Sequence, residues 1–271
     1  MKNAIFIGSA TAAVTPFLAK GGVDFEAFAA QLDYQIQNGA DALVVLGTTG
    51  EASVVTADER AEILHFAVKH IKKRVPLIAG TGSNCTAQAV EWTLQAQKLG
   101  ADAALLVTPY YNKCTQKGLI AHFSAVAKAV ALPLILYNVP GRTNVNLLPS
   151  TVHALTAHKN VAGIKEASGN LEQIGEIARL CGDALDIYSG DDALTLPVLS
   201  LGGAGVISTV GNLIPRLMRD LCANFFKGKL KESLDIQLKI LPLIRAAFKE
   251  VNPIPVKAAL NAMGLNAGVP R

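Results

Sequence analysis

Short apolar runs alternate along this chain with longer segments whose apolar residues recur at helical spacing. Residues 42–46, 75–79, 103–107, 133–137, 161–165, 186–189 and 204–208 each read as a strand, and a first strand lies within 6–17. These runs are apolar almost throughout rather than at every second position, which marks strands buried on both faces of a parallel sheet. Between them the pattern predicts helices over 24–38, from 56 toward 70, and over 86–99, 116–130, 149–156, 171–180, 193–201 and 215–227. Asp24 is placed to cap the first helix and Gly39 to stop it. Thr56-Ala57-Asp58-Glu59 is a capping box, Thr86 is expected to cap the third helix, and Leu99-Gly100 to end it.

Eight such β-then-α units in about 225 residues match an α/β protein of the closed (β/α)8, or TIM, barrel type. The barrel is expected over 1–228 and a small C-terminal helical extension over 229–271. In that extension Leu238, Leu241, Leu243, Ile244 and Phe248 would form the buried face, and Pro253 and Pro255 would break it before a last helix over 256–263. An open doubly wound sheet is the alternative. Against it, no glycine-rich dinucleotide fingerprint follows the first strand.

Composition narrows the class. Hydrophobic residues make up 51% of the chain and charged ones 17%, which calls for a large interior or an oligomer interface. No apolar run reaches the ~18 residues of a membrane helix. The net charge of +4 is scattered, without the basic block of a nucleic-acid binder. Met1-Lys2-Asn3-Ala4-Ile5-Phe6 runs toward the first strand without a signal-peptide core, so a cytoplasmic protein is expected. Cys85, Cys114, Cys181 and Cys222 form no Cys-x-x-Cys pair and are expected to be reduced. The histidines do not cluster, and no metal is expected.

Polar chemistry collects just after the apolar runs, where a barrel presents its catalytic rim. Lys165 ends the run 161–165. A buried lysine is costly unless it forms a salt bridge or loses its proton, and the neutral amine attacks carbonyls. Read alone, Lys165 could equally reach past the strand end to solvent. Gly47-Thr48-Thr49-Gly50 could be an ordinary turn or a nest of N–H groups and hydroxyls for a carboxylate. Tyr137 could be a core aromatic or a proton shuttle, and Arg142 a solvated loop charge or a carboxylate clamp. Ser189-Gly190-Asp191-Asp192 reads as a turn and helix cap. Gly202-Gly203-Ala204-Gly205 reads as close packing at the eighth strand rather than a phosphate loop.

Gly47-Thr48-Thr49-Gly50-Glu51, Thr108-Pro109-Tyr110-Tyr111-Asn112, Tyr137-Asn138-Val139-Pro140-Gly141-Arg142-Thr143 and Gly163-Ile164-Lys165-Glu166-Ala167-Ser168-Gly169 together resemble the 4-hydroxy-tetrahydrodipicolinate (dihydrodipicolinate) synthase family of pyruvate-dependent class I aldolases. The likeness runs from about Gly8 to Gly268, with the motifs in order. It implies a Schiff base between Lys165 and pyruvate, a carboxylate seat at Thr48 and Thr49, and a proton relay of Tyr137, Thr49 and Tyr111. Tyr111 would come from a neighbouring subunit. Arg142 would bind the carboxylate of L-aspartate 4-semialdehyde, and Gly190 and Ile207 would offer main-chain carbonyls. The resemblance further implies no metal or organic cofactor, a role in lysine and diaminopimelate biosynthesis, and a homo-oligomer: at least a dimer, with a dimer of dimers expected. The family usually continues into another helix beyond Arg271, so the C-terminal region here is expected to be short. Lysine-inhibited members carry a histidine and a glutamate in a cleft at the dimer interface. This chain has Ala57 and Gln88 there, beside matching Asn84 and Tyr110, so weak or absent lysine inhibition is expected.

Two alternatives stay open at this point. One is another lyase on the same scaffold, such as N-acetylneuraminate lyase or a 2-keto-3-deoxy-sugar-acid aldolase. The other is a non-catalytic metabolite-binding barrel.

Overall fold

Eight short parallel strands pair in chain order, and the last returns to the first: β1 (Gly8–Ala12), β2 (Ala42–Val45), β3 (Leu77–Gly80), β4 (Ala103–Val107), β5 (Leu134–Asn138), β6 (Val161–Glu166), β7 (Asp186–Ser189) and β8 (Gly205–Ser208). Closure is direct, with Ala10 in register with Ile207 across β1 and β8. This is a computed structural model describing residues 4–271. Residues 1–3, which begin the segment expected to lead into the first strand, lie outside the described residues.

Helices separate the strands and clothe the barrel: α1 (Phe25–Gln37), α2 (Ala57–Ile71), α3 (Thr86–Leu99), α4 (Gln116–Ala129), α5 (Pro140–Thr143), α6 (Pro149–Leu155), α7 (Leu171–Cys181), α8 (Thr195–Ser200) and α9 (Pro215–Phe226). Two more, α10 (Leu230–Ala247) and α11 (Ile254–Ala262), follow the barrel. The expected caps at α1 and α2 are present. Asp24 accepts the Ala27 N–H at 2.9 Å, and Thr56 and Glu59 close a reciprocal box.

The strands are apolar on both faces because both are buried. One face packs on the helices through residues such as Leu43, Leu106, Leu136 and Ile164. The other fills the barrel with Ala10, Ala42, Val44, Ile78, Ala103, Leu105, Ile135 and Ile207. Small alanines suit the narrow lumen. Phe6 and Tyr188 stack within it with centroids 4.3 Å apart, and the Tyr188 hydroxyl donates to the Phe6 carbonyl at 2.9 Å. The glycine run before β8 is a packing device, since a Cβ at Gly205 would collide with the Gly8 carbonyl.

Three local expectations give way to tertiary structure. Thr86 does not cap α3: Cys85 holds that position without a side-chain bond, and the Thr86 hydroxyl pairs with His122 Nδ1 at 2.9 Å. Pro255 does not break the C-terminal helices. It sits in the first turn of α11, where a missing N–H costs nothing. The buried face of α10 is Ser233, Gln237, Ile240, Ile244 and Ala247, while Leu238 and Phe248 are exposed. Its polar members are satisfied inside: the Ser233 hydroxyl donates to Leu221 O at 2.9 Å, and Gln237 Oε1 accepts the Leu196 N–H at 3.1 Å.

Arg271 closes the far end of the chain onto α2, donating to both Glu59 carboxylate oxygens at 2.8 and 2.6 Å. That hydrogen bonding is the main reason the Glu59 pKa falls from 4.5 to about 2, against the opposing pull of burial. A carboxylate with a depressed folded-state pKa stabilises the fold above its unfolded pKa, and the benefit fades as pH drops toward the folded value. Glu59→Gln should therefore destabilise the protein by about 1 kcal/mol or less near neutrality. The deficit should shrink steadily as pH falls from 4.5 toward 2. Paired denaturant titrations across that range check this, and an undiminished deficit in acid would contradict it.

Candidate active site

Lys165 ends β6 with its side chain only 5% exposed. The β5–β6 register sets Tyr137 directly beside it, and the ammonium lies 4.4 Å from the Tyr137 ring centroid. Among the described residues no carboxylate comes within ion-pair distance of this amine. On the other side stands Gly190, just past β7. A Cβ there would lie 3.0 Å from Lys165 Cε and 2.7 Å from Ala167 Cβ, so only glycine leaves the lysine its course.

Side chains alternate along a strand, so the residue after Lys165 faces the other way. Glu166 is 1% exposed and enters an amide network. It accepts from Asn138 Nδ2 at 3.0 Å, Gln173 Nε2 at 3.1 Å and the Ser168 N–H at 2.7 Å. This clamp fixes the end of β6 from outside while Lys165 faces the site.

Asp191 is the helix cap that the sequence pattern led one to expect, accepting the Ala193 N–H at 2.9 Å. Asp192 does something else. It is buried, and its Oδ2 accepts the Thr209 and Val210 N–H groups at 3.1 and 3.0 Å. Burial pushes its pKa up, while bonds from Ser208, Val210 and Thr209 and the charge of Lys165 pull it down. Ile207 lies on β8 within the same lumen cluster as Tyr137.

The turn after β2 is tight. Gly50 and Glu51 N–H groups bond back to the carbonyls of Gly47 and Thr48 at 3.1 and 3.0 Å. Leu46 and Glu51, flanking it, both have φ of 57°, a costly value for side chains of that size. Thr48 lines a cavity of about 920 Å³, along with Tyr111, Tyr137 and Arg142. Thr49 is buried, and its hydroxyl accepts from Asn252 Nδ2 at 2.9 Å. Lys165, Thr49, Gly190 and Ile207 are not part of the cavity wall, and Tyr137 is the bridge between that wall and the lysine. Arg142, on the short helix α5, is exposed. Tyr111 is 84% exposed with φ of 79°.

The cavity continues past Tyr110 to Ala57 and Gln88, while Asn84 is not in its wall. Arg60 was not legible as a site residue, because a lone arginine on a helix normally reads as solvent-facing. Here it is 3% exposed, its guanidinium lies 3.8 Å above the Trp92 ring, and it donates to the Gly80 carbonyl at 2.7 Å. Burial lowers its pKa to about 10, against an opposing pull from Tyr110. Asn252 and Lys257 were equally unmarked, and Asp192 was read only as part of a turn and helix cap.

Comparison with known proteins shows the family and the fold. The family model described as dihydrodipicolinate synthetase matches residues 5–271. The chain is 53% identical to the 4-hydroxy-tetrahydrodipicolinate synthase of Lachnoclostridium phytofermentans, over 98% of this chain and 90% of that protein. It superimposes on the dihydrodipicolinate synthase of Thermotoga maritima with a TM-score of 0.96 at 44% identity, covering 98% of this chain and 92% of that one. It superimposes equally on the chloride-inhibited dihydrodipicolinate synthase of Acinetobacter baumannii complexed with pyruvate, with a TM-score of 0.96 at 43% identity, covering 98% and 91% of the two chains. Barrel, lysine and relatives lead to one assignment: the chain belongs to the dihydrodipicolinate synthetase family of enzymes.

Proposed function

We propose that this protein is a 4-hydroxy-tetrahydrodipicolinate synthase, condensing pyruvate with L-aspartate 4-semialdehyde in lysine and diaminopimelate biosynthesis. The observation that carries the reading is Lys165, a buried amine with no carboxylate in ion-pair distance among the described residues, set beside Tyr137 at the barrel rim.

The neutral Lys165 amine attacks the pyruvate C2 carbonyl, and loss of water gives a protonated imine. That cation draws electrons from the methyl carbon, which gives up a proton and becomes the nucleophilic enamine carbon. The enamine adds to the aldehyde carbon of the semialdehyde and so forms the new C–C bond. The semialdehyde's own amine then attacks the imine carbon, closes the ring and expels Lys165 as free amine. Each step moves a proton, and Tyr137, whose ring lies beside Lys165, is the side chain assigned to carry it. An isolated tyrosine is too weak an acid for this, which a relay through Thr49 and Tyr111 relieves. Thr48 and the N–H groups of its turn seat the pyruvate carboxylate. Arg142 clamps the carboxylate of the semialdehyde. Gly190 and Ile207 supply carbonyls near the imine. The lysine itself serves as electron sink, so this reaction calls for no organic cofactor or metal.

Because Tyr111 is 84% exposed in one chain, its part requires a second chain, and we place the active protein at least at a dimer, with a dimer of dimers as the fuller assembly. A cytoplasmic location fits the substrates. The cleft beyond Tyr110 offers Ala57 and Gln88 where a carboxylate would be needed to hold a lysine ammonium, and buried Arg60 adds a like charge.

Following pyruvate consumption with L-aspartate 4-semialdehyde tests the reading. Lys165→Ala should abolish both turnover and the borohydride-trapped pyruvate adduct. If an adduct forms but only sugar-acid substrates turn over, the chemistry stands and the substrate does not. Arg142→Ala should lower kcat/KM for the semialdehyde by about 100-fold while adduct formation with pyruvate continues. Gly190→Ala, which crowds Lys165, should slow adduct formation by on the order of 100-fold. Free lysine at sub-millimolar concentration should leave the rate unchanged, and strong inhibition there would refute the assignment of the cleft.

A further inference from the structure

The segment that carries Arg142 is stapled to the ends of β5 and β6. Asn138 ends β5, pairs in register with Glu166 and is fully buried. Its Oδ1 accepts the Leu147 N–H at 2.9 Å, which draws the chain leaving α5 back onto the strand from which it set out. Its Nδ2 donates to Glu166 Oε2 at 3.0 Å and to Asn146 Oδ1 at 2.8 Å. Asn146 turns its own Nδ2 to Gln173 Oε1 at 2.8 Å. Gln173 Nε2 returns to Asn146 Oδ1 at 3.2 Å and to Glu166 Oε2 at 3.1 Å.

Two fixed points settle which way the three amides face. A backbone N–H can only donate, and a carboxylate accepts. Leu147 therefore meets Asn138 Oδ1, and Glu166 meets Asn138 Nδ2. With Nδ2 of Asn138 toward it, Asn146 presents oxygen there and nitrogen to Gln173 Oε1. Gln173 Nε2 is then left for Glu166, an acceptor again. Every donor meets an acceptor, and the ring closes on the carboxylate that pins the end of β6.

Arg142 has no such ties of its own. It stands exposed on the four-residue helix α5, and its guanidinium makes no hydrogen bond or ion pair among the described residues. Where that charge stands is therefore set by the backbone of loop 139–147. Asn146, half-buried near the end of this loop, joins it to Asn138 on β5 and to Gln173 on α7. Through them the loop and the strand end bearing Lys165 share one hydrogen-bonded frame.

We propose that Asn146 is a positioning residue for the second substrate: its bonds to Asn138 and Gln173 fix the loop bearing Arg142 against the strand end bearing Lys165. This rests on the roles given above to Arg142 and Lys165.

The measurement is kcat/KM for L-aspartate 4-semialdehyde at saturating pyruvate, for wild type, Asn146→Ala, Arg142→Ala and the double variant. Rates are normalised to the borohydride-trapped pyruvate adduct, so only folded, imine-forming sites count. Asn146→Ala leaves Glu166 its bonds from Asn138, Gln173 and Ser168, and leaves Asn138 its bond from Leu147. The strand end with Lys165 thus keeps its clamp. The variant should lose about tenfold in kcat/KM, because a clamp displaced by a fraction of an ångström no longer meets its carboxylate. Its half-saturating pyruvate concentration for adduct formation should stay within about twofold of wild type. In the Arg142→Ala background the same substitution should change kcat/KM by no more than about twofold, since its effect passes through the arginine. Wild-type kcat/KM in Asn146→Ala would overturn the proposal. So would a rise in half-saturating pyruvate as large as the loss in kcat/KM, the mark of a general structural contact. Losses that multiply in the double variant would show that Asn146 acts without Arg142, and would overturn it too. An Arg142→Ala variant with wild-type kcat/KM is a separate failure, which removes the arginine's role in the proposed function and the purpose of Asn146 with it. Wild-type protein that formed no adduct would bring down the Schiff-base reading itself.

Discussion

A lysine amine enclosed at the end of a barrel strand, with no carboxylate within ion-pair distance among the described residues, is the constraint around which this structure is built. A charged group in such a place is expensive. The surroundings enclose the amine without an ion pair among the described residues. Tyr137 covers one side because the β5–β6 register puts the two residues abreast. Gly190 keeps the other side open because any larger residue would meet the lysine's own methylenes. Asp192, a buried acid that feels the charge of Lys165, accepts from the backbone amides of Thr209 and Val210. The strand that carries the lysine is then pinned from behind by Glu166 and its amide partners.

The second dependence is on the chain's last helices. The turn after β2 is flanked by two non-glycine residues at positive φ, a conformation that local sequence does not favour. It persists because tertiary contacts over-determine it: an ion pair and a backbone bond at Glu51, a hydroxyl bond at Gly50 and an amide bond at Thr49. Barrel and extension are thus one functional unit at this point. The Thr48–Thr49 turn lies on a loop of the barrel, while groups that hold that loop come from α11 and the segments next to it.

Much of this was legible before any coordinates. The strands stood out because a parallel sheet buried on both faces leaves continuous apolar runs, and the helices of α1 and α2 announced themselves through Asp24 and the Thr56–Glu59 box. Lys165 and Tyr137 were readable because polar groups at the ends of apolar runs are out of place unless a rim gathers them. The failures share a cause. The inward face of α10 carries Ser233 and Gln237, and its outward face carries Leu230, Leu234 and Leu238, so hydrophobicity pointed the wrong way. Ser233 and Gln237 are tolerated inside because each finds a backbone partner on a neighbouring segment. Thr86 was likewise diverted from capping by His122, far along the chain.

By itself the sequence determined what periodicity, capping and turn chemistry control: eight β-then-α units, their order, and a rim on which a lysine, a tyrosine and a threonine-bearing turn would gather. These depend on residues within one or two turns of each other. Only the tertiary structure decided that Gly190 rather than a side chain must back Lys165, that Arg60 lies buried on Trp92, and that Asn252 holds Thr49. Each of these joins residues from separate elements, and the pair from Asn252 to Thr49 spans 203 positions. A hydrogen bond or a steric fit depends on distances of a few tenths of an ångström between elements. No local pattern records such distances until the barrel has closed.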